Sequence, residues 1–255
     1  MRFLKHPALR GLDPDSPEAS IVRAKIVREK PYLKKIYAKW YASIAAALPG
    51  YIEGPVLELG SGGGFLGEFI PGLITSELFQ VPGVDLVADG QRLPFQDRAL
   101  RAIVMLDVLH HLPKVNRFFE EAQRCVKPGG VVVMVEPWVT PWSKIVYRYL
   151  HQEPFRPHAA GWHFPAGGPL SQANSALPWI VFHRDALLFK HRFPRLLIEE
   201  IDLNGVFGYL LTGGVSFRSF LPEWIHGLAE RTERTLLEQL PAFGMFARIV
   251  LTHQE

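Results

Sequence analysis

The chain has 255 residues, 48% hydrophobic and 21% charged, a balance that excludes a disordered polypeptide and suits a globular protein with a sizeable core. A single cysteine, Cys125, excludes an internal disulfide and any multi-cysteine metal site and fits a reducing compartment, so the cytoplasm is the expected location. The net charge of +3 is uneven: residues 1–50 carry 10 Lys/Arg against 4 Asp/Glu, while the rest of the chain is net acidic. A solvated helix face is the plain reading of that excess. A site for an anionic substrate or peripheral contact with a membrane surface is the alternative. Nucleic acid is not expected as a partner, because no basic–aromatic reading motif accompanies the charge. No secretory leader is expected from Met1 to Pro7, and no apolar run approaches the ~18 residues that span a bilayer.

In chain order, Ser16-Pro17-Glu18 reads as an N-cap, a first-turn proline and a first-turn acid. Val22, Ile26, Leu33, Tyr37, Trp40, Ile44 and Leu48 follow at near-helical spacing, interrupted by Pro31. Two helices over 17–30 and 31–48 are predicted, a cap over residues 1–50. The remaining residues 51–255 read as one domain. Its first strand, 55–59, runs into Gly60-Ser61-Gly62-Gly63-Gly64, after which Phe65, Leu66, Phe69 and Ile70 predict a helix. Glycines directly after a strand bend the backbone and open main-chain N–H groups to a ligand, so this is a nucleotide-type cofactor turn in outline. Short apolar runs predict further strands at 73–77, 84–88, 102–107 and 131–136, buried on both faces as in a parallel sheet. An amphipathic helix from Val115 to Val126 is stopped by Lys127-Pro128-Gly129-Gly130.

Residues 137–178 change character, with seven prolines, several aromatics and His151, His158 and His163. A helix from Ser143 to about His151 is predicted there and the remainder reads as irregular, a pattern more often functional than idle. Residues 137–195 read as an insertion in the domain. A strand at 196–203, a helix at about 222–240 and a strand at 245–252 complete the chain.

Four segments, in order, resemble the class I S-adenosylmethionine-dependent methyltransferases, particularly their small-molecule branch. Glu58-Leu59-Gly60-Ser61-Gly62-Gly63-Gly64 is similar to the acid-then-G-x-G-x-G motif after the first strand. Asp89-Gly90-Gln91-Arg92-Leu93-Pro94-Phe95 resembles the D-x-x-x-LPF segment, and Asp107-Val108-Leu109-His110-His111-Leu112 the end of strand four. Arg124-Cys125-Val126-Lys127-Pro128-Gly129-Gly130 resembles the turn before strand five. The resemblance implies a Rossmann-like α/β sheet of seven strands, mostly parallel with the last antiparallel, S-adenosylmethionine as cofactor, and a small-molecule acceptor. By position it implies cofactor contacts from Glu58, Gly60, Ser61, Gly62, Gly64, Glu77, Asp89, Gly90, Asp107 and His110. Glu58 would orient the amino group, Glu77 would take the ribose hydroxyls and Asp89 the adenine amino group. Only twelve residues separate Glu77 from Asp89, so the family's helix after strand two is missing, and Asp85 rivals Glu77 for the ribose.

Gly62-Gly63-Gly64-Phe65-Leu66-Gly67 also satisfies the dinucleotide pattern G-x-G-x-x-G, but starts two residues beyond the strand. A catalytically silent methyltransferase-like partner-binding protein is therefore the alternative, and a nicotinamide-dependent reductase the weaker third reading. Methyl transfer is an in-line displacement in which the protein mostly aligns the reactants, with a base needed only if the nucleophile loses a proton. His151 and His111 are the candidate bases. Tyr37, Trp40 and Tyr41 read as core or as a lid facing the sulfonium through cation–π attraction, with Arg23 and Lys30 near the cofactor carboxylate. The resemblance also implies that the insertion over 137–195 binds the acceptor, which places Tyr147, Glu153 and His163 there. No metal is expected, since His151, His158, His163 and Glu153 lack a recognised ligand spacing. Cys125 reads as an inert buried thiol.

Overall fold

The short apolar runs assemble into one seven-stranded sheet in the order β3-β2-β1-β4-β5-β7-β6. The strands are β1 Val56–Leu59, β2 Leu73–Glu77, β3 Leu86–Val87, β4 Leu100–Leu106, β5 Val126–Pro137, β6 Leu196–Asn204 and β7 Phe246–His253. The first five pair in parallel, and β7 lies antiparallel between β5 and β6. The computed structural model describes residues 5–151, 153–165, 167–168, 172–220 and 222–255.

Strand alternation sends side chains to two layers. Leu57, Leu59, Ile103, Met105, Val132 and Met134 face one layer, where Phe118, Phe119 and Ala122 of helix α3 (Val115–Cys125) pack. Val56, Ala102, Val104, Val133 and Val135 face the other, under helices α1 (Pro17–Glu29) and α2 (Pro31–Ala46). Ser16 caps α1 by accepting from Ala19 N, and prolines open both helices, as predicted. Because Glu58 shares its strand face with Val56, this carboxyl is driven into the cap layer rather than into solvent.

Three elements differ from expectation. After the glycine turn there is no α-helix, only a single 3₁₀ turn at Leu66–Glu68. Gly67 and the Pro71-Gly72 pair leave no room for helical propagation, and Phe65 and Phe69 instead pack around Tyr41. The helix predicted from Ser143 begins earlier, as α4 (Pro141–Tyr149), because Thr140 and Ser143 form a reciprocal capping box. The stretch from Leu177 to Arg192, read only as insertion, is helical: α5 (Leu177–Trp179), a π-turn at Ile180–Arg184 and α6 (Ala186–Arg192). It buries Ile180, Val181, Phe182 and Phe189 against α3. Between β2 and β3 there is no helix, as the spacing required.

The C-terminal part supplies α7 (Gly208–Thr212) and α8 (Glu223–Gln239). The cap is tied to this part by Lys30, whose ammonium donates to the carbonyls of Thr212, Gly214 and Phe217 at 2.9, 2.8 and 2.5 Å. Lys35 and Lys39 both pair with Glu230 on α8. Much of the basic excess of the cap is thus spent on internal partners. No helix among the described residues is long and apolar enough to cross a membrane.

Candidate active site

The carboxyl ends of β1, β2 and β4 open into one cleft, roofed by α1 and α2. Its floor is the glycine turn. Gly60, Gly62 and Gly63 have φ of +64°, +55° and +72°, backbone that side chains with a Cβ rarely adopt. Close approach constrains the turn as well: a Cβ on Gly63 would lie 2.6 Å from the Ala24 Cβ, and one on Gly64 2.3 Å from the Tyr41 hydroxyl. The cap therefore rests directly on the turn, with Arg28 donating to the Gly64 carbonyl at 2.9 Å. Gly63, which sequence reasoning passed over, is as constrained as its neighbours.

Glu77 closes one end of the cleft. Its carboxylate accepts from Gly62 N at 2.6 Å and from Leu78 N at 3.3 Å, and burial raises its pKa against those hydrogen bonds. Its rival Asp85 is exposed and accepts from the Thr75 amide and hydroxyl at 2.9 and 2.7 Å, outside the cleft. Glu58 lies beneath, buried, with its pKa pushed up to about 8 by burial and then by Glu77. Ser61 lines the cleft while its hydroxyl donates to the Ser76 carbonyl at 3.1 Å. Gly90 reaches the same wall, but the Asp89 carboxylate turns back to accept from the amide and side chain of Gln91 at 2.8 and 3.1 Å.

At the opposite end, Asp107 leaves β4 with φ of +62°, a strained conformation for a residue with a Cβ, and lines the cleft. His110 follows, fully buried, with Nδ1 2.7 Å from Glu136 Oε2 and Nε2 3.1 Å from Glu153 Oε2. Burial alone would lower its pKa, but the hydrogen bonds to the two carboxylates outweigh this and raise it well above the usual histidine range. Glu136 also accepts from the amides of Val108 and Leu109 at 2.8 and 2.7 Å, so this one carboxylate fixes the whole turn after β4. Sequence reasoning missed it, although an acid ending the run Val131-Val132-Val133-Met134-Val135-Glu136 was a visible signal.

Glu153 stands at the centre of three histidines. His111 Nε2 lies 3.7 Å from its Oε1 and His151 Nδ1 3.9 Å from its Oε2. Burial would raise the Glu153 pKa, but the histidines hold it well below the carboxylate range. Burial and then the His110 charge push His111 down to about 4, and burial lowers His151. His111 and Glu153 line the cleft; His151 sits behind them, edge-on to Tyr147.

The aromatic cap residues separate. Tyr37 and Tyr41 line the cleft. Trp40 does not line the cleft: it is buried against Phe246, ring centres 4.8 Å apart, and its indole donates to Asn204 at 2.8 Å. Tyr147 is likewise core, its hydroxyl donating to the Met245 carbonyl at 2.7 Å. His163 is exposed and bridges Lys114, away from the cleft. Lys30 is committed to the 212–217 carbonyls, which leaves Arg23 as the cleft cation. Cys125 is buried with its thiol pushed up to about 11 by burial, as an inert thiol should be.

A family described as a methyltransferase domain matches residues 57–134, the span from the first strand through the glycine turn to β5. Over that span the chain resembles the class I S-adenosylmethionine-dependent methyltransferases. Among its relatives, a tRNA (carboxymethyluridine(34)-5-O)-methyltransferase of Arabidopsis thaliana is 31% identical over 172 residues, 54% of this chain and 42% of that protein. A phthiotriol/phenolphthiotriol dimycocerosates methyltransferase of Mycobacterium ulcerans is 32% identical over 57 residues, 22% of this chain and 21% of that protein. The chain thus spans less than half the length of these curated relatives. Phosphoethanolamine N-methyltransferase 2 of Haemonchus contortus, solved with S-adenosyl-L-methionine, shares the fold with a TM-score of 0.53 at 11% identity, over 97% of this chain and 59% of that one. The methyltransferase sheet, with β7 antiparallel between β5 and β6, is the one described above.

Proposed function

We propose that this methyltransferase moves the methyl group of S-adenosylmethionine to a small, partly hydrophobic acceptor. One observation carries the reading: the glycine turn with Glu77 and the His111–Glu153–Asp107 group face each other across a single cleft. The donor's ribose would lie on Glu77, whose two oxygens match two vicinal hydroxyls, and its methionine end along Gly60 and Gly62. The acceptor would enter at the His111 and Glu153 end. Its nucleophilic atom forms the new bond to carbon as the sulfur–methyl bond breaks, leaving S-adenosylhomocysteine. A proton released from the acceptor would pass to His111, the neutral imidazole that faces the cleft; His151 is set back from it.

A large nucleic-acid acceptor is disfavoured by the cap, where Lys35, Lys39 and Arg28 pair with Glu230 and Glu68 rather than forming an open basic face. Calorimetry tests the cofactor: S-adenosylhomocysteine should bind at micromolar concentration, and NADH and NADPH should not. Comparing metabolites with and without the protein, for a product heavier by one methylene, identifies the acceptor. Binding of a nicotinamide cofactor instead would sink the reading.

A further inference from the structure

We propose that His110 Nε2, His111 Nε2 and the Glu153 carboxylate form a binding site for a divalent transition-metal ion. These three ligand atoms lie within 4.8 Å of one another. His110 Nε2 is 3.1 Å from Glu153 Oε2, and His111 Nε2 is 3.7 Å from Glu153 Oε1. Two donors each about 2.1 Å from one ion lie roughly 3.0 to 3.4 Å apart in octahedral or tetrahedral geometry, so each histidine–carboxylate pair is within a few tenths of an ångström of what one ion requires.

The surroundings are arranged as a metal site requires. Each histidine has its other ring nitrogen on a fixed acceptor: His110 Nδ1 on Glu136 at 2.7 Å, His111 Nδ1 at 3.4 Å from the Gln172 carbonyl. That fixes both rings so that both Nε2 atoms point at Glu153, the carboxylate–histidine pattern that orients metal ligands. Ser175 in turn donates to Glu153 at 3.3 Å. In the ion-free protein His110 Nε2 shares a proton with Glu153 at 3.1 Å, and binding of the ion would displace that proton to solvent. Two imidazoles with one carboxylate favour zinc, iron, manganese or cobalt over magnesium or calcium. His111 and Glu153 line the cleft, so further coordination positions face it. With the ion bound, His111 Nε2 is a ligand and cannot also take a proton, so the base role proposed above belongs to the ion-free protein. Use of the ion to hold an acceptor oxygen would rest on the methyl-transfer reading, and binding of the ion does not.

Chelator-treated full-length protein titrated with Co²⁺, followed by visible absorption and calorimetry, tests the site. One saturable equivalent is expected, weakened 10- to 100-fold or more by His111→Gln and by Glu153→Gln. His163→Gln, an exposed histidine elsewhere, should leave the affinity unchanged. Circular dichroism establishes that each variant is folded, and the two substitutions serve as independent checks. No saturable Co²⁺ binding, or wild-type affinity in either folded variant, overturns the proposal. S-adenosylhomocysteine titrated in parallel separates this from failure of the methyltransferase reading: its loss bears on that reading, and the absence of cobalt on this one.

Discussion

Glu77→Gln isolates the contact on which the proposed donor site depends. In the protein, Glu77 holds Gly62 N at 2.6 Å, so one carboxylate oxygen already shapes the glycine turn while the carboxylate as a whole faces the cleft. Glutamine keeps the size and one acceptor oxygen, which can still receive Gly62 N. It replaces the other acceptor with an NH₂ group and removes the charge. A hydrogen bond to a charged group contributes about 1.5–3 kcal/mol, so losing one from the ribose should weaken S-adenosylhomocysteine binding about 12- to 150-fold. Calorimetry of wild type and variant measures this directly, with a thermal melt to show that the turn survives. Asp85→Asn is the matched control, since Asp85 engages Thr75 outside the cleft, and it should leave the affinity unchanged. Wild-type affinity in Glu77→Gln, combined with a large loss in Asp85→Asn, would refute the assignment.

Gly63→Ala forces a Cβ onto a left-handed backbone and to within 2.6 Å of Ala24, so a loss of about 2–4 kcal/mol in urea unfolding is expected; an unchanged midpoint would contradict the close packing of cap on turn. Trp40→Phe removes the indole hydrogen bond to Asn204 and part of a buried ring and should cost about 1–3 kcal/mol of stability, with cofactor affinity unaltered; weakened binding at full stability would restore the lid reading. Glu58 titrates near 8 in the folded protein, above its ordinary 4.5, so the unfolded chain releases its proton first and the ligand-free protein loses stability as pH rises from about 4.5 through about 8. Glu58→Gln should therefore melt higher relative to wild type at pH 8.5 than at pH 5, and melting curves that keep a constant offset across that range would refute the buried, uncharged acid.

The sheet was legible because its strands are short apolar runs buried on both faces, a pattern few other structures produce. The missing helix after β2 followed from simple counting between Glu77 and Asp89. The helix expected after the glycine turn failed for a local reason: Phe65, Leu66, Phe69 and Ile70 have helical spacing, but Gly67 and Pro71 cut the segment below the length at which a helix propagates. The helical stretch ending at Arg192 escaped notice because Ile180, Val181 and Phe182 are all buried, so no polar face marks a period. At the site, the glycines and Glu77 could be placed from their register against the strands. The cluster around Glu153 could not, since His110 and Glu153 are 43 residues apart and meet only when β5 and the segment after α4 fold over the turn following β4.

The 3₁₀ turn that replaces a helix at Leu66–Glu68 also bears on turnover. A full helix would aim its partly positive end into the cleft, where a sulfonium has to sit. Here that end is absent, and the walls carry Glu77, Asp107 and Glu153 against the single arginine Arg23. S-adenosylmethionine is a cation at sulfur and S-adenosylhomocysteine is not. On the proposed reading, each transfer removes the positive charge that a carboxylate wall attracts, and the exchange of spent product for fresh donor is favoured by that loss.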